Sequence, residues 1–323
     1  MKIAHDIHTH NVFSKCCKDK NASTTAYIQK EIELGIKTFG LSNHIWDENV
    51  KGASGWYKNQ TILLAEEARA TLKNAPEDIK CLFGAETEYF ACQDLLGMSV
   101  EGAKHFDYLL IPHSHLHMRN EVMWEYPEIR EKRKEIVATI VESNPYLSEK
   151  AISAIEKSLG ESVLMEYIPE MKTNIGEYTI SAAFDNFNSL FENAVFLEIA
   201  KTVPTSISHP FGLCGVPHSL KNEYLALRSD GDYEKCFEKA RELGVSLEIN
   251  TDSVEACGLD MAQNQLVRIL GIAKDVGCQF TFGSDSHSIA GLEKIKLADE
   301  VIKYLDLNKS HLAEFVRDAV IDE

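Results

Sequence analysis

The sequence predicts an α/β barrel built on seven parallel strands, and three observations carry that reading. Seven short runs have strand length and apolar content: 3–9, 38–43, 81–88, 108–114, 205–208, 245–250 and 279–283. Helical-period segments separate them, several closed by a glycine. Imidazole and carboxylate side chains stand just after the apolar part of one run after another: His8, His10, His44, Glu86, His115, His209, Asp285 and His287. Strand–helix–strand repeats join parallel strands through right-handed crossovers. Seven such units closing on themselves resemble the eightfold barrel, whose site lies at the C-terminal strand ends. A doubly wound open sheet is the alternative, but it would gather its ligands at one switch point.

Taken in order, the first run leads to a helix pattern over 25–34 stopped by Gly35, then to the second run. A helix over 63–72 precedes the third run. After the fourth run the rhythm breaks, and residues 118–181 read as a helical insertion. It contains the charge run Arg130-Glu131-Lys132-Arg133-Lys134-Glu135, whose mixed signs fit a solvated helix face. Helical patterns follow around 148–159 and 182–200. Helices over 233–243 and 261–276, closed by Gly244 and Gly277, flank the sixth run. No linker-like composition bounds the insertion, so residues 1–323 are read as a single barrel domain.

Composition narrows the function. Hydrophobic residues make up 44% and charged residues 26%, as in an ordinary globular domain. The formal charge of -17 argues against a surface for long nucleic acids, which demand a basic face. It does not exclude a small phosphorylated molecule, because bound cations reverse the field locally. Eight cysteines without a Cys-x-x-Cys pair read as reduced thiols. No signal-peptide pattern is present and no apolar run reaches about 18 residues, so a cytoplasmic protein with no membrane partner is expected.

The donor residues fit metal chemistry. His8 and His10, two apart on a strand, share a face and can grip one ion. Glu86, in Gly84-Ala85-Glu86, can bridge two cations as an imidazole cannot; Glu88 is its same-face competitor. His113, His115 and His117 alternate onto one face, so spacing does not choose between them. His209 precedes Pro210, which holds it extended. Asp285 and His287 offer an oxygen and a nitrogen from the last strand end. Such mixed donors suit zinc, iron or manganese. His5, His105, His218 and His311 are set aside as non-ligands. Arg119, Lys221 and Arg228 follow candidate ligands in loops and could bind phosphate.

The chain resembles the polymerase and histidinol phosphatase (PHP) superfamily of metal-dependent phosphoesterases. The matching pieces are Asp6-Ile7-His8-Thr9-His10, Ser42-Asn43-His44, Gly84-Ala85-Glu86, Ser114-His115, Ser208-His209-Pro210 and Gly283-Ser284-Asp285-Ser286-His287, in the family's order. The resemblance implies a distorted (β/α)7 barrel and two or three divalent metal ions. It implies that His8, His10, Glu86 and Asp285 hold one ion, and that Glu86 bridges to a second held by His115 and His209. A third would be held by His44, His287 and a histidine shortly after the first motif. Here the sequence departs from the pattern, since the aligned position carries Cys16, whose thiolate is a competent zinc ligand.

The activity implied is hydrolysis of a small-molecule phosphate monoester, with L-histidinol phosphate the best-known family substrate, by a metal-bound hydroxide. Glu86, Asp285 and His287 are the residues expected to carry it. A nucleotide phosphoesterase or nuclease of the same superfamily is one alternative; a non-enzymatic metal-binding scaffold is another. Neither a Gly-x-Ser-x-Gly elbow nor a P-loop occurs.

Overall fold

The computed structural model describes residues 1–53, 55–115, 127–149, 151–152 and 172–321. Seven parallel strands form the central sheet: β1 (His5–Asp6), β2 (Thr38–Leu41), β3 (Lys80–Glu86), β4 (Tyr108–Pro112), β5 (Thr205–Ser208), β6 (Ser246–Asn250) and β7 (Phe280–Gly283). They are ordered by sequence around the sheet. Backbone bonds from Ile7 N to Phe282 O (3.1 Å) and Asp285 N to His8 O (2.8 Å) bring the last strand back to the first. The result is the nearly closed, distorted (β/α)7 barrel the sequence predicts.

The strand cores fall where the apolar runs lie, but the ends are shorter. The expected first strand divides at Ala4: Lys2–Ile3 pairs antiparallel with Val320–Ile321, and only His5–Asp6 joins the barrel. Ala4 itself donates to Ala319 O and accepts from Lys37 and Thr38 N–H groups, so its backbone serves two partners at the split. β2, β3 and β4 each stop two residues before the expected end, whereas β5, β6 and β7 end where the sequence predicts. Two glycines are required by close approach. A Cβ on Gly40 or Gly84 would collide with Tyr108, whose ring occupies the barrel interior and whose hydroxyl donates to Ile7 O at 2.5 Å.

Helices α1 (Thr24–Leu34), α2 (Ile62–Leu72), α3 (Val100–Ala103), α4 (Pro127–Ser143), α5 (Lys172–Leu190), α6 (Ala194–Ala200), α7 (His218–Leu225), α8 (Asp230–Leu243), α9 (Thr251–Cys257), α10 (Gln265–Val276) and α11 (Leu297–Leu305) accompany the sheet. Caps set several boundaries. Ser23 accepts from Ala26 N at the start of α1, and Gly35 ends it in a left-handed conformation (φ 84°). Asn264 accepts from Val267 N, which starts α10 four residues later than the apolar periodicity suggests. Asn193 accepts from Phe196 N and starts α6 as a new helix, dividing the pattern expected over 182–200. Buried faces of these helices, such as Leu266, Val267 and Leu270 on α10 and Phe187 on α5, form one core with the barrel's outer surface. α4 and α5 occupy the expected break after β4; Lys134 and Glu135 on α4 are exposed, as a solvated charge run requires. Among the described residues no helix is long and apolar enough to cross a membrane.

Candidate metal centre

The C-terminal ends of the strands converge on a buried cluster of imidazoles and carboxylates. After β1 the chain stays extended, and Asp6 Oδ1 accepts from both His8 N (3.2 Å) and Ser284 N (3.0 Å), tying the first strand end to the last. His8 and His10 are fully buried. Their Nε2 atoms lie 3.0 Å apart. Glu86 Oε2 is 3.3 Å from each, and Asp285 Oδ1 is 3.4 Å from His8 and 3.2 Å from His10. These four side chains make a first donor set.

Glu86 turns its other oxygen to a second set. Its Oε1 is 3.0 Å from His209 Nε2 and 3.6 Å from His115 Nε2, and those two nitrogens are 3.2 Å apart. A third set gathers His10, Cys16, His44 and His287, with donor atoms all within 4.8 Å of one another. The His10 ring lies between the sets, stacked 4.6 Å from His44 and 4.5 Å from His287.

The residues fit divalent cations. Two imidazole nitrogens facing each other can share only one proton, yet here such pairs recur at 3.0 and 3.2 Å. Ligands at 2.0–2.1 Å around a tetrahedral zinc stand about 3.3 Å from one another. The electrostatics agree. Burial opposes charge on His8, His10, Glu86, Asp285 and Cys16. Even so, Asp285, Glu248 and Glu86 hold the His8 imidazole well above its usual range, and Cys16, Asp285 and Glu86 do so for His10. Burial likewise opposes ionisation of Glu86 and Asp285, but His44 and His8 hold the first, and His8 and His10 the second, well below the usual carboxylate range. Burial also disfavours the Cys16 thiolate; His10, His287 and His44 nonetheless pull that thiol down to about 3. The cluster demands positive charge, which protons or metal ions can supply.

An outer layer aims the rings. Glu248 Oε1 lies 2.7 Å from His8 Nδ1, Glu88 Oε2 lies 2.8 Å from His115 Nδ1, and Asp285 O lies 2.8 Å from His287 Nδ1. With Nδ1–H donating outward, each ring presents Nε2 to the centre. Tyr57 donates to Glu88 Oε2 at 3.0 Å and stands 3.2 Å from His44 Nδ1.

The structure therefore brings together His8, His10, Cys16, His44, Glu86, His115, His209, Asp285 and His287. It separates others. His113 and His115 do not share a face: β4 ends at Pro112, and His113 turns back to Ala183 O (Nδ1, 3.1 Å) and accepts from Phe211 N, while His115 enters the cluster. Lys221 and Arg228 are engaged by protein groups. Lys221 is buried and donates to Gly212 O; Arg228 pairs with Glu177 and donates to Ser181 Oγ. His117 and Arg119 lie outside the described residues. Of the histidines set aside, His5 is enclosed in the barrel wall, His105 lies on the surface beside Glu66, His218 starts α7 and His311 accepts from Asn308 N. Sequence reasoning missed Glu248 and Cys214. Glu248, flanked by Leu247 and Ile249 on β6, carried a usable signal: a carboxylate inside an apolar strand run. For Cys214, beside His115 and His209, the linear pattern carried none.

No family model and no curated protein matches the chain. Solved structures do. It is similar to histidinol phosphate phosphatase from Lactococcus lactis subsp. lactis Il1403, complexed with zinc, L-histidinol and phosphate, at 14% identity over 94% of each chain and a TM-score of 0.53. It is similar also to a protein from Listeria monocytogenes assigned as a histidinol phosphatase, at 12% identity over 89% of this chain and 97% of that one, TM-score 0.53. The chain thus shares the fold of these two proteins.

Proposed function

We propose that the protein is a metal-dependent phosphoesterase acting on a small phosphate monoester, with L-histidinol phosphate the leading candidate substrate. The observation that supports this most is Glu86, whose two buried oxygens face separate sets of imidazoles. A carboxylate so placed suits two neighbouring cations, the arrangement used to clamp attacking and leaving oxygens of a phosphoryl group.

His8, His10, Glu86 and Asp285 would hold one ion, and Glu86, His115 and His209 a second. His44, His287 and Cys16 would hold a third, beside the His10 ring. Bound there, divalent cations lower the pKa of coordinated water and neutralise phosphoryl oxygens. Zinc suits these nitrogen, oxygen and sulfur donors; iron and manganese remain expectations from the sequence. The chain's own groups do the rest. Asp285, with its side chain 18% exposed, is the most open carboxylate of the centre and can orient an attacking water through Oδ2. His287, 39% exposed, is the most open imidazole of the centre and, as a ligand there, would line the path by which an ester enters. Glu248 and Glu88 keep the His8 and His115 rings oriented. Two of these groups, His8 and Glu86, are essentially sealed from solvent, so the ester would enter from the side of Asp285 and His287.

The test is phosphate release by zinc-loaded protein from a panel of monoesters including L-histidinol phosphate, alongside phosphodiesters. Turnover of a small monoester is expected. Cleavage of diesters alone would favour the nuclease reading, and no cleavage by fully loaded protein would favour the scaffold.

A further inference from the structure

The loop after β5 has a backbone of unusual conformation. His209 (φ 32°), which Pro210 was expected to hold extended but does not, lies in the left-handed region with Phe211 (φ 55°), Leu213 (φ 46°) and Gly215 (φ 92°). Non-glycine residues there cost on the order of 1–3 kcal/mol each and persist where surrounding contacts over-determine them. Those contacts are present. Phe211 and Leu213 are fully buried, Phe211 N donates to His113 Nε2 at 3.0 Å, and Lys221 Nζ donates to Gly212 O at 2.6 Å. The coiled loop folds its end back onto the strand-end of β4, where Cys214 N donates to Ser114 O at 3.0 Å and Cys214 pairs in a β-bridge with His115. Cys214 is thereby delivered to the His115 and His209 rings. Its Sγ is 3.7 Å from His209 Nδ1, and the three residues' donor atoms lie within 4.8 Å of one another.

We propose that Cys214 supplies a sulfur ligand to the second ion, alongside His115, His209 and Glu86. The inference rests on the metal-centre reading and adds a donor to it. Cys236, Cys257 and Cys278, by contrast, are buried in the hydrophobic core and stand in none of the donor groups among the described residues. Sulfur then enters two of three positions, through Cys214 and Cys16, while the first set offers nitrogen and oxygen alone. Thiolate favours zinc over manganese, so the second and third positions discriminate by donor chemistry and the first does not.

Chelator-stripped protein reloaded with cobalt(II) reports thiolate ligation through a near-ultraviolet sulfur-to-cobalt charge-transfer band. Reloaded with zinc, it reports a sulfur scatterer at about 2.3 Å in X-ray absorption. Cys16→Ser removes the other sulfur donor. The expected result is that Cys16→Ser retains a charge-transfer band, that adding Cys214→Ser abolishes it, and that the first-set ion stays bound throughout. A Cys16→Ser protein that holds cobalt in its first two positions yet shows no band overturns the proposal and leaves Cys214 as a mere neighbour of His209. Should Cys214→Ser fail to fold, the zinc protein decides it: two sulfurs per three ions support Cys214, one per three rejects it. Wild-type protein that takes up neither metal overturns the metal-centre reading itself, a separate outcome.

Discussion

Glu248 Oε1 lies 2.7 Å from Nδ1 of His8, while its Oε2 accepts the His209 backbone N–H at 2.7 Å. One carboxylate from the middle of β6 thus braces a ring of the first donor set and the backbone of the second. A Cβ on Gly283 would strike both Glu248 and His8, so the packing leaves neither room to move.

Replacing that brace tests it. Glu248→Gln keeps the shape but removes the charge that favours Nδ1–H and an inward Nε2 on His8. Metal affinity and turnover should fall 10–100-fold, the range typical of outer partners at metal sites. Zinc titration of stripped protein measures it. Unchanged affinity would assign Glu248 to packing alone.

Glu86 and Glu88 separate by role. Glu86→Gln should lose at least that much, because its two oxygens face two donor sets; metal per chain and phosphate release should fall together. Glu88→Gln should be milder, since Glu88 reaches the outer nitrogen of His115 and the Tyr57 hydroxyl rather than the inward nitrogens of two donor sets. Elemental analysis of the two variants side by side distinguishes them, and the reverse ranking would exchange their roles.

Cys16 stands among His10, His44 and His287. Serine stays protonated near neutral pH, whereas a metal-bound thiol is deprotonated. Cys16→Ser should therefore lower the metal content by about one ion per chain while leaving the others. A metal count equal to wild type would remove Cys16 from the third set.

His5 provides a pH signature away from the donors. Its Nδ1 faces Ala319 O at 3.3 Å and its Nε2 accepts from Phe282 N at 3.1 Å, an arrangement that requires the neutral ring. Burial pushes its pKa down from 6.5 to about 4, against the smaller pull of Ala319 O. Below pH 6.5 the unfolded chain gains a proton that the folded chain refuses, so this contribution is full above 6.5 and lost as pH falls through 4. Asp6 works the other way: burial raises its carboxyl to about 6 despite Ser284 and His8, so its contribution is present at low pH and lost as pH rises through 6. Comparison with His5→Gln isolates His5. The stability gap between wild type and variant in urea unfolding should narrow by about 2–3 kcal/mol from pH 7 to 4. A gap independent of pH would contradict a neutral buried His5.

Much of the barrel was legible because apolar runs of strand length ended in donors, as at His8, Glu86, His209 and Asp285. What was not legible depended on three-dimensional closure. Alternation placed His113 with His115, but a period of two holds only while the strand lasts, and β4 ends at Pro112. Cys214 reaches the centre through non-glycine left-handed residues, for which the sequence carries no marker. Lys221 and Arg228 looked free as loop cations, but their partners Gly212, Glu177 and Ser181 come from other segments. Glu248 was legible in principle, as a carboxylate between the apolar Leu247 and Ile249, but its role as a brace for His8 depends on neighbours that only the closed barrel supplies.

The central claim is metal-dependent monoester hydrolysis, and one paired measurement tests it most directly. Metal content and phosphate release from L-histidinol phosphate are followed in the same protein before chelation, after chelation and after zinc is restored. Loss of both on chelation and recovery of both with zinc are expected, with Glu86→Gln failing to recover either. Full phosphate release from protein shown to be metal-free would contradict the claim.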